Sequence, residues 1–376
     1  MKILHINSYY NGRFFYKNLF DKQVENGLEI NVFVPVPTPF KKTDVDVGSY
    51  TIISENHKKY DRLFFHLKHT KILKDIQKKY ILNEHTLIHA HSLFSNGYIA
   101  MMLKKKYGTP YVVAVRNSDV NVFFKRMLHL RKMGVRILKE ATKIIFLSEP
   151  YKDMVLNNYV PKRFKMDFHQ KSIILPNGID DFWFESKSRE RVELVSNYLK
   201  ILYVGEINKN KNLTTTIEAI EVLQKKGYKV MYTVVGEISD ENVFDQIKQH
   251  QCVNYIPPLP KEELKKIYNT NDLFVMPSIH ETLGLVYIEA MSQGLPLIYS
   301  RGQGFDGKFE DKEVGYAVDC FDFLEIAKRI EDIIKDYQKI SARCIRAAVD
   351  FNWNSISQTL ETIYLDCIEN GKENHE

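Results

Sequence analysis

"LFVMPSIHETLGLVYIEAMSQGLPLIYS", residues 273–300, decides how this chain folds. It opens on a short apolar run, LFVMPS, and closes on another, PLIYS. Both runs are bounded by turn residues and are too short for a helix, so both read as buried strands. Between them LVYIEAMSQG reads as a helix, closed by Gly294 with Pro296 beyond it. Strand, helix and strand in so short a span make one βαβ unit. Its strands are parallel and covered on both faces.

The rhythm extends both ways. Apolar runs rich in β-branched residues recur as KILHI, EINVFVPV, LIHAHS, YVVAVR, KIIFLS and SIILPNG, then as ILYVG, KVMYTVVG, LFVMPS, PLIYS and GYAVD. Amphipathic segments of helical length separate most of them. The pattern breaks at 183–198, WFESKSRERVELVSNY, which is charged. The reading is α/β: two doubly wound, Rossmann-like domains, 1–190 and 191–350, facing a central cleft. Ligands of such sheets sit outside the carboxyl ends of the strands, so the cleft is the expected site.

Composition supports this. A chain of 376 residues is long enough for two domains, and 44% hydrophobic with 27% charged residues is a globular balance. No apolar run reaches the roughly 18–20 residues that cross a bilayer. MKILHINSYY reads as a first strand and not as a signal peptide. Cys252, Cys320, Cys344 and Cys367 show no CxxC spacing, which favours a reducing compartment. The net charge of +6 is unevenly spread. Residues 1–190 hold 32 Lys+Arg against 18 Asp+Glu (+14), and the remaining 21 and 29 give −8. The first half should favour an anionic surface.

Two carboxylates, Glu281 and Glu289, flank an apolar stretch. Glu281 is on the turn, and Thr282 to Leu285 lie at the helix N-terminus, where free amides and the dipole favour a phosphate. Glu289 is about a turn inside the helix. Eight residues of helix rise about 12 Å. The two carboxylates can then reach both ends of an extended ligand whose phosphates face the amides between. Carboxylates suit hydroxyls, and a sugar, a diphosphate and a ribose in line describe a nucleotide sugar.

This stretch resembles the E-x7-E motif of retaining glycosyltransferases of family four, which have the GT-B fold. The resemblance covers nearly the whole chain. LPNGID (175–180) is similar to the family's segment ending the first domain, and ILYVGEINKNKNL (201–213) to the loop opening the second. YIPPLPKEELKKIYNTNDLFVMPS resembles the run that approaches the nucleotide base. FNWNSISQTLETIY resembles a C-terminal helix, 351–376, that crosses back onto the first domain.

The resemblance implies transfer of a sugar from a nucleotide donor to an acceptor with anomeric retention. It implies that Glu281 contacts the donor sugar, Glu289 the ribose and Lys211 the diphosphate. The amides from Thr282 and Leu283 through Gly284 to Leu285 would take the distal phosphate. Gly205, Lys209 and Pro258 complete the donor set. Glu281, Lys211, Arg116 and His91 are the implied catalytic group, and Gly12, His91, Arg116 and Asp119 the acceptor side. Two departures stand out. Glu206 replaces the family's usual arginine, with Lys209 or Arg301 as compensating cations. Arg116 and Asn117 stand where a His-Gly pair is usual.

Other motifs have plainer readings. GQGFDG (302–307) matches a dinucleotide fingerprint in letters, but charged KFEDKEVG follows where a helix is required, so a donor-side loop is the better reading. His89 and His91 with His85 hint at a metal, yet no carboxylate or cysteine ligand is nearby. DVD (44–46) sits in a polar connection, and KKK (104–106) reads as a solvated helix end. No metal and no cofactor are expected.

Two basic stretches, 57–80 and 123–139, interleave Lys and Arg with apolar residues. They read either as basic outer faces of core helices or as a membrane-surface patch, with Phe64, Phe65, Phe123 and Phe124 beside the charges. No nucleic-acid module accompanies them. The expectation is a glycosyltransferase at the cytoplasmic membrane face. It would transfer a hexose or N-acetylhexosamine from a UDP-linked donor to a lipid-linked glycan. The alternatives are a GT-B sugar-nucleotide epimerase and a non-catalytic, membrane-docked sugar-nucleotide binder.

Overall fold

The computed structural model describes residues 1–10, 14–40, 46–185, 194 and 197–373. The chain divides into two units. One comprises Met1–Leu147, Tyr151–Pro176 and Trp353–Glu376, and the other Ser148–Pro150 and Asn177–Asn352.

The first unit is built on strands β1 (Lys2–Ile6), β2 (Glu29–Thr38), β3 (Thr51–Lys58), β4 (Leu87–Ala90), β5 (Tyr111–Ala114), β6 (Lys143–Phe146) and β7 (Ser172–Ile174). They form one parallel sheet in the order β3-β2-β1-β4-β5-β6-β7. The second unit is built on β8 (Tyr198–Val204), β9 (Lys229–Val235), β10 (Val253–Ile256), β11 (Leu273–Met276), β12 (Leu297–Ser300) and β13 (Gly315–Val318). Its sheet is also parallel, in the order β10-β9-β8-β11-β12-β13. The stretch 273–300 folds as read: β11 and β12 pair with Phe274 opposite Leu297, and the helix Leu285–Ser292 joins them.

Strand order reverses once in each sheet, between β1 and β4 and between β8 and β11. Loops leaving the carboxyl ends of those strands diverge and open a crevice. Side chains alternate across each sheet. On β1, Leu4 and Ile6 enter one apolar core with Phe94 and Ile137, while Ile3 enters the opposite core with Phe20 and Leu360. Each fully buried Leu or Ile contributes about 1.5–3 kcal/mol.

The boundary between units falls at Pro176–Asn177, ahead of position 190. The segment after it packs on the second unit: Ile179 and Trp183 join that unit's core, and Gln293 Nε2 donates to the Trp183 carbonyl at 2.9 Å. The chain returns to the first unit in the helix Trp353–Glu373. Trp353, Ile356, Leu360, Ile363, Tyr364 and Cys367 are buried in the first unit's core, and their spacing is the one-sided stripe of a surface helix. The four thiols are free. No described helix is long and apolar enough to cross a membrane.

That helix closes over three buried imidazoles. His5 on β1 and His89 on β4 are register partners, and His91 follows β4 on the same side. His5 Nδ1 and His91 Nε2 share one hydrogen bond of 3.0 Å, and His89 Nδ1 meets the Tyr364 hydroxyl at 2.6 Å. Burial holds all three rings neutral, with His5 lowered to about 3 and the other two well below the usual range. Burial likewise lowers His69 to about 3 and His57 to about 4.

The folded state therefore binds fewer protons than the unfolded state once pH falls below the ordinary histidine value near 6.5. Stability is present above that value and is lost as pH falls through it, by up to about 1.4 kcal/mol per pH unit for each imidazole. Thermal melts followed by circular dichroism should show Tm falling from pH 7 to pH 5, with a shallower slope in His5→Leu. A Tm that is flat over this range would contradict the assignment.

Candidate functional site

The reversal between β8 and β11 brings two loops of the second unit together. The loop after β8 carries Lys209–Lys211 in a single 3-10 turn, and the loop after β11 carries Ile279–Glu281. Asn210 fastens one to the other. Its side-chain amide donates to the His280 carbonyl at 2.9 Å, its side-chain oxygen accepts the His280 N–H at 3.0 Å, and its carbonyl accepts the Ile279 N–H at 2.8 Å. Asn212, with φ 55°, begins the next helix, and its amide reaches the carbonyls of Pro277 and Cys320. One residue beyond the Asn210–His280 pair, Lys211 Nζ meets Glu281 Oε2 at 2.6 Å, with both side chains largely buried.

Glu281 is held from the other side as well. Its N–H donates to Gln303 Oε1 at 3.0 Å, and its carbonyl accepts the Gly304 N–H at 2.8 Å. GQGFDG is thus the loop that positions Glu281. A Cβ on Gly304 would lie 1.8 Å from the Thr282 carbonyl oxygen, so only glycine allows this approach. Gly284 caps the following helix at φ 75°, where a Cβ would strike the Tyr287 ring at 2.5 Å. The amides that begin this helix have no intrahelical acceptor and carry the positive end of its dipole. Leu283 is buried in the core beneath them, and Leu285 packs against it.

Glu289 lies one turn further in. The Tyr268 hydroxyl donates to its Oε2 at 3.3 Å, and burial pushes its carboxyl up to about 7. The other donor candidates are dispersed. Gly205 follows β8, its N–H bonded to the Val235 carbonyl. Pro258 is exposed on the loop after β10. Lys209 is exposed beside Asn208, Thr214 and Asn242. Glu206 is exposed, with Asn208 Nδ2 donating to it at 3.3 Å. Arg301, the other cation considered for the missing arginine, has its guanidinium engaged by Glu325 at 2.6 Å and by the Ala317 carbonyl. Asn210 and Asn212 escaped the sequence reading. Their signal was the NKNKN run, since asparagine tolerates left-handed backbone and bonds to nearby main chain.

In the first unit, the loops after β4 and β5 are tied by Asp119. Its buried carboxylate accepts the N–H groups of Leu93, Phe94 and Arg116 at 2.9, 3.1 and 2.9 Å. Burial nonetheless pushes it up to about 6. Arg116 is half-buried and donates from Nε to the His91 carbonyl at 3.2 Å. His91 is fully buried, stacked on His89 at 4.0 Å and 11°. Gly12 lies outside the described residues.

Ring nitrogens of His5, His89 and His91 lie within 4.8 Å of one another, the feature of a metal site. The donor set does not fit one. Lone pairs of imidazoles lie in the ring plane, and two nearly parallel stacked planes share no point for an ion. His85 stands apart, bonded to Asn31.

Residues 184–350 match the sequence family Glycosyl transferases group 1, and residues 15–181 match Glycosyltransferase Family 4. The chain is 32% identical over 305 residues to D-inositol 3-phosphate glycosyltransferase of Corynebacterium diphtheriae, covering 74% of this chain and 70% of that protein. It is 30% identical over 206 residues to the capsular polysaccharide biosynthesis glycosyltransferase CapM of Staphylococcus aureus, covering 52% of this chain and 53% of the relative, about half its length. The structure of Anabaena Alr3699/HepE in complex with UDP and glucose superposes with a TM-score of 0.68 at 16% identity, covering 97% of this chain and 100% of that one. Two parallel doubly wound units and matches running along both place this chain among the group 1 glycosyltransferases, enzymes of the GT-B fold that act on sugar donors.

Proposed function

We propose that the enzyme transfers a hexose or N-acetylhexosamine from a UDP-linked donor, with retention, to a lipid-linked surface glycan at the inner membrane face. The observation that carries this is the Lys211–Glu281 pair at the strand reversal, beside the helix that starts after Gly284. A cation, a carboxylate and helix-terminal amides are what a diphosphate joined to a sugar requires. When the donor arrives, Lys211 turns to the leaving diphosphate and Glu281 accepts from sugar hydroxyls, so the ligand replaces an existing ion pair. Glu289 lies further along the helix, where it meets the ribose. The UDP held by the HepE structure and the polysaccharide named for CapM support the donor and acceptor classes. The diphosphate is neutralised by Lys211 and amides, with no metal.

Lys211→Ala and Glu281→Ala should each lower kcat about a hundredfold or more, since both act where charge develops on the leaving group and the sugar. Asn210→Ala should lower kcat about tenfold or more with little change in Tm, because it releases the pair from register without touching substrate. Wild-type turnover in Lys211→Ala and Glu281→Ala would refute the donor site.

Glu206→Arg should keep activity or tighten donor binding, measured as KM for UDP-sugar, because it adds the charge this site lacks. A folded but inactive Glu206→Arg protein would show that Glu206 has its own role.

Turnover should persist in excess chelator. Activity abolished by chelation and restored by Mg²⁺ or Mn²⁺ would overturn metal-independent neutralisation.

A further inference from the structure

The first unit exposes large apolar side chains in one place. Sixteen such residues are exposed among those described, and four of them fall within eight positions: Tyr60 at 57%, Leu63 at 75%, Phe64 at 63% and Leu67 at 50%. They form the tip of a 3-10 turn, Lys59–Leu63, that runs into the helix Phe65–Lys79. The tip is built and not frayed. The carboxylate of Asp61, buried beneath it, accepts the Lys58 N–H at 2.8 Å and pairs with Lys71 Nζ at 2.7 Å. The helix turns His69, Ile72 and Ile76 inward and leaves Leu67, Lys74 and Lys78 outward.

A second exposed segment lies beside the tip. The rings of Phe65 and Phe123 meet edge-on at 6.4 Å, so their exposed neighbours Phe64 and Val122 belong to one surface. Leu128, 62% exposed, continues it between Lys125, Arg126 and Lys132, which are all exposed. The sequence expectation of which residues face outward needs correcting. Phe124 is buried, Phe65 and Phe123 are half-buried against Tyr98 and Phe94, and Arg131 is held over the Tyr159 ring.

We propose that this surface docks the enzyme on an anionic lipid bilayer, with Tyr60, Leu63, Phe64 and Leu67 entering the headgroup–acyl boundary and Lys59, Arg62, Lys74, Lys125, Arg126 and Lys132 meeting the headgroups. The choice of a bilayer over a protein partner rests on charge. The stretch 123–139 holds six Lys or Arg (125, 126, 131, 132, 136, 139) and no Asp or Glu, and a rim of one sign around a small apolar tip suits a surface that is anionic throughout. The inference takes its purpose from the proposed lipid-linked acceptor, but the docking itself stands on the surface alone.

The test is sedimentation of the full chain with vesicles of phosphatidylcholine alone or with phosphatidylglycerol added, at low and high salt. Wild type should sediment with the anionic vesicles at low salt, dissociate at high salt, and ignore phosphatidylcholine. Leu63→Glu/Phe64→Glu should lower the bound fraction at least tenfold in free-to-bound ratio. Lys125→Glu/Arg126→Glu/Lys132→Glu should do the same. Both variants should keep the wild-type Tm and the wild-type release of UDP from a UDP-sugar in vesicle-free solution. Equal sedimentation with neutral and anionic vesicles, or wild-type binding by Leu63→Glu/Phe64→Glu, overturns the proposal. So does a vesicle-independent dimer that this variant abolishes, which would make the patch a self-association face. Vesicle binding by a protein that releases no UDP from any UDP-sugar would sink the proposed transfer and leave the docking intact.

Discussion

The Lys211–Glu281 pair depends on a bond made one residue earlier in each loop. The reciprocal hydrogen bonds between the Asn210 side chain and the His280 backbone continue, outside the sheet, the adjacency of β8 and β11. The sheet sets which loops are neighbours, the staple sets their register, and the ion pair follows from the register. A largely buried ion pair contributes little net stability, because desolvation offsets most of the attraction. It is therefore a contact that a ligand with its own charge and hydroxyls can replace at small cost, while the backbone beneath stays fixed. Gln303 and Gly304 do the same for Glu281 from the β12 side, so the backbone that carries the carboxylate is braced from two strands at once.

Much of this was legible in the sequence. The stretch 273–300 has strands, helix and breakers in unmistakable order, because a parallel strand buried on both faces must be apolar throughout and a short helix must stop at Gly294. What the sequence could not show were contacts set by tertiary neighbours. Arg301 has the right charge for a diphosphate, but Glu325, twenty-four residues away, takes its guanidinium. His91 alternates with His89 as a site residue would, yet the rings of His5, Tyr16 and Phe20 pack on it, and these come from the first strand and the helix after it. Asn210 carries no charge and reads as a turn residue, so its role appears only when the opposing loop is in place.

The interior of the first unit is unusually polar where its strand order reverses. Three imidazoles, Asn7, Gln23 and Asp119 are buried there. Asp119 spends its carboxylate on three backbone N–H groups, which ties the loops after β4 and β5 into one piece. His89 Nε2, His91 Nδ1 and Asn7 Nδ2 are buried there without a hydrogen-bond partner among the described residues.

The helix Trp353–Glu373 has a consequence for the order in which the protein is made. It belongs to the unit that contains residue 1, whereas nearly all of the second unit is one continuous stretch, 177–352. During synthesis the second unit can complete its core as soon as its own stretch has emerged, since domains fold as units on the ribosome. The first unit cannot. Until residues 353–373 arrive, the core that holds Ile3 and Phe20 lacks the stripe from Trp353 to Cys367, and Tyr364 is not there to meet His89. The half that is translated first is thus the half that finishes last, and a ribosome stalled before Trp353 releases a chain whose second unit is whole and whose first unit lacks part of one core.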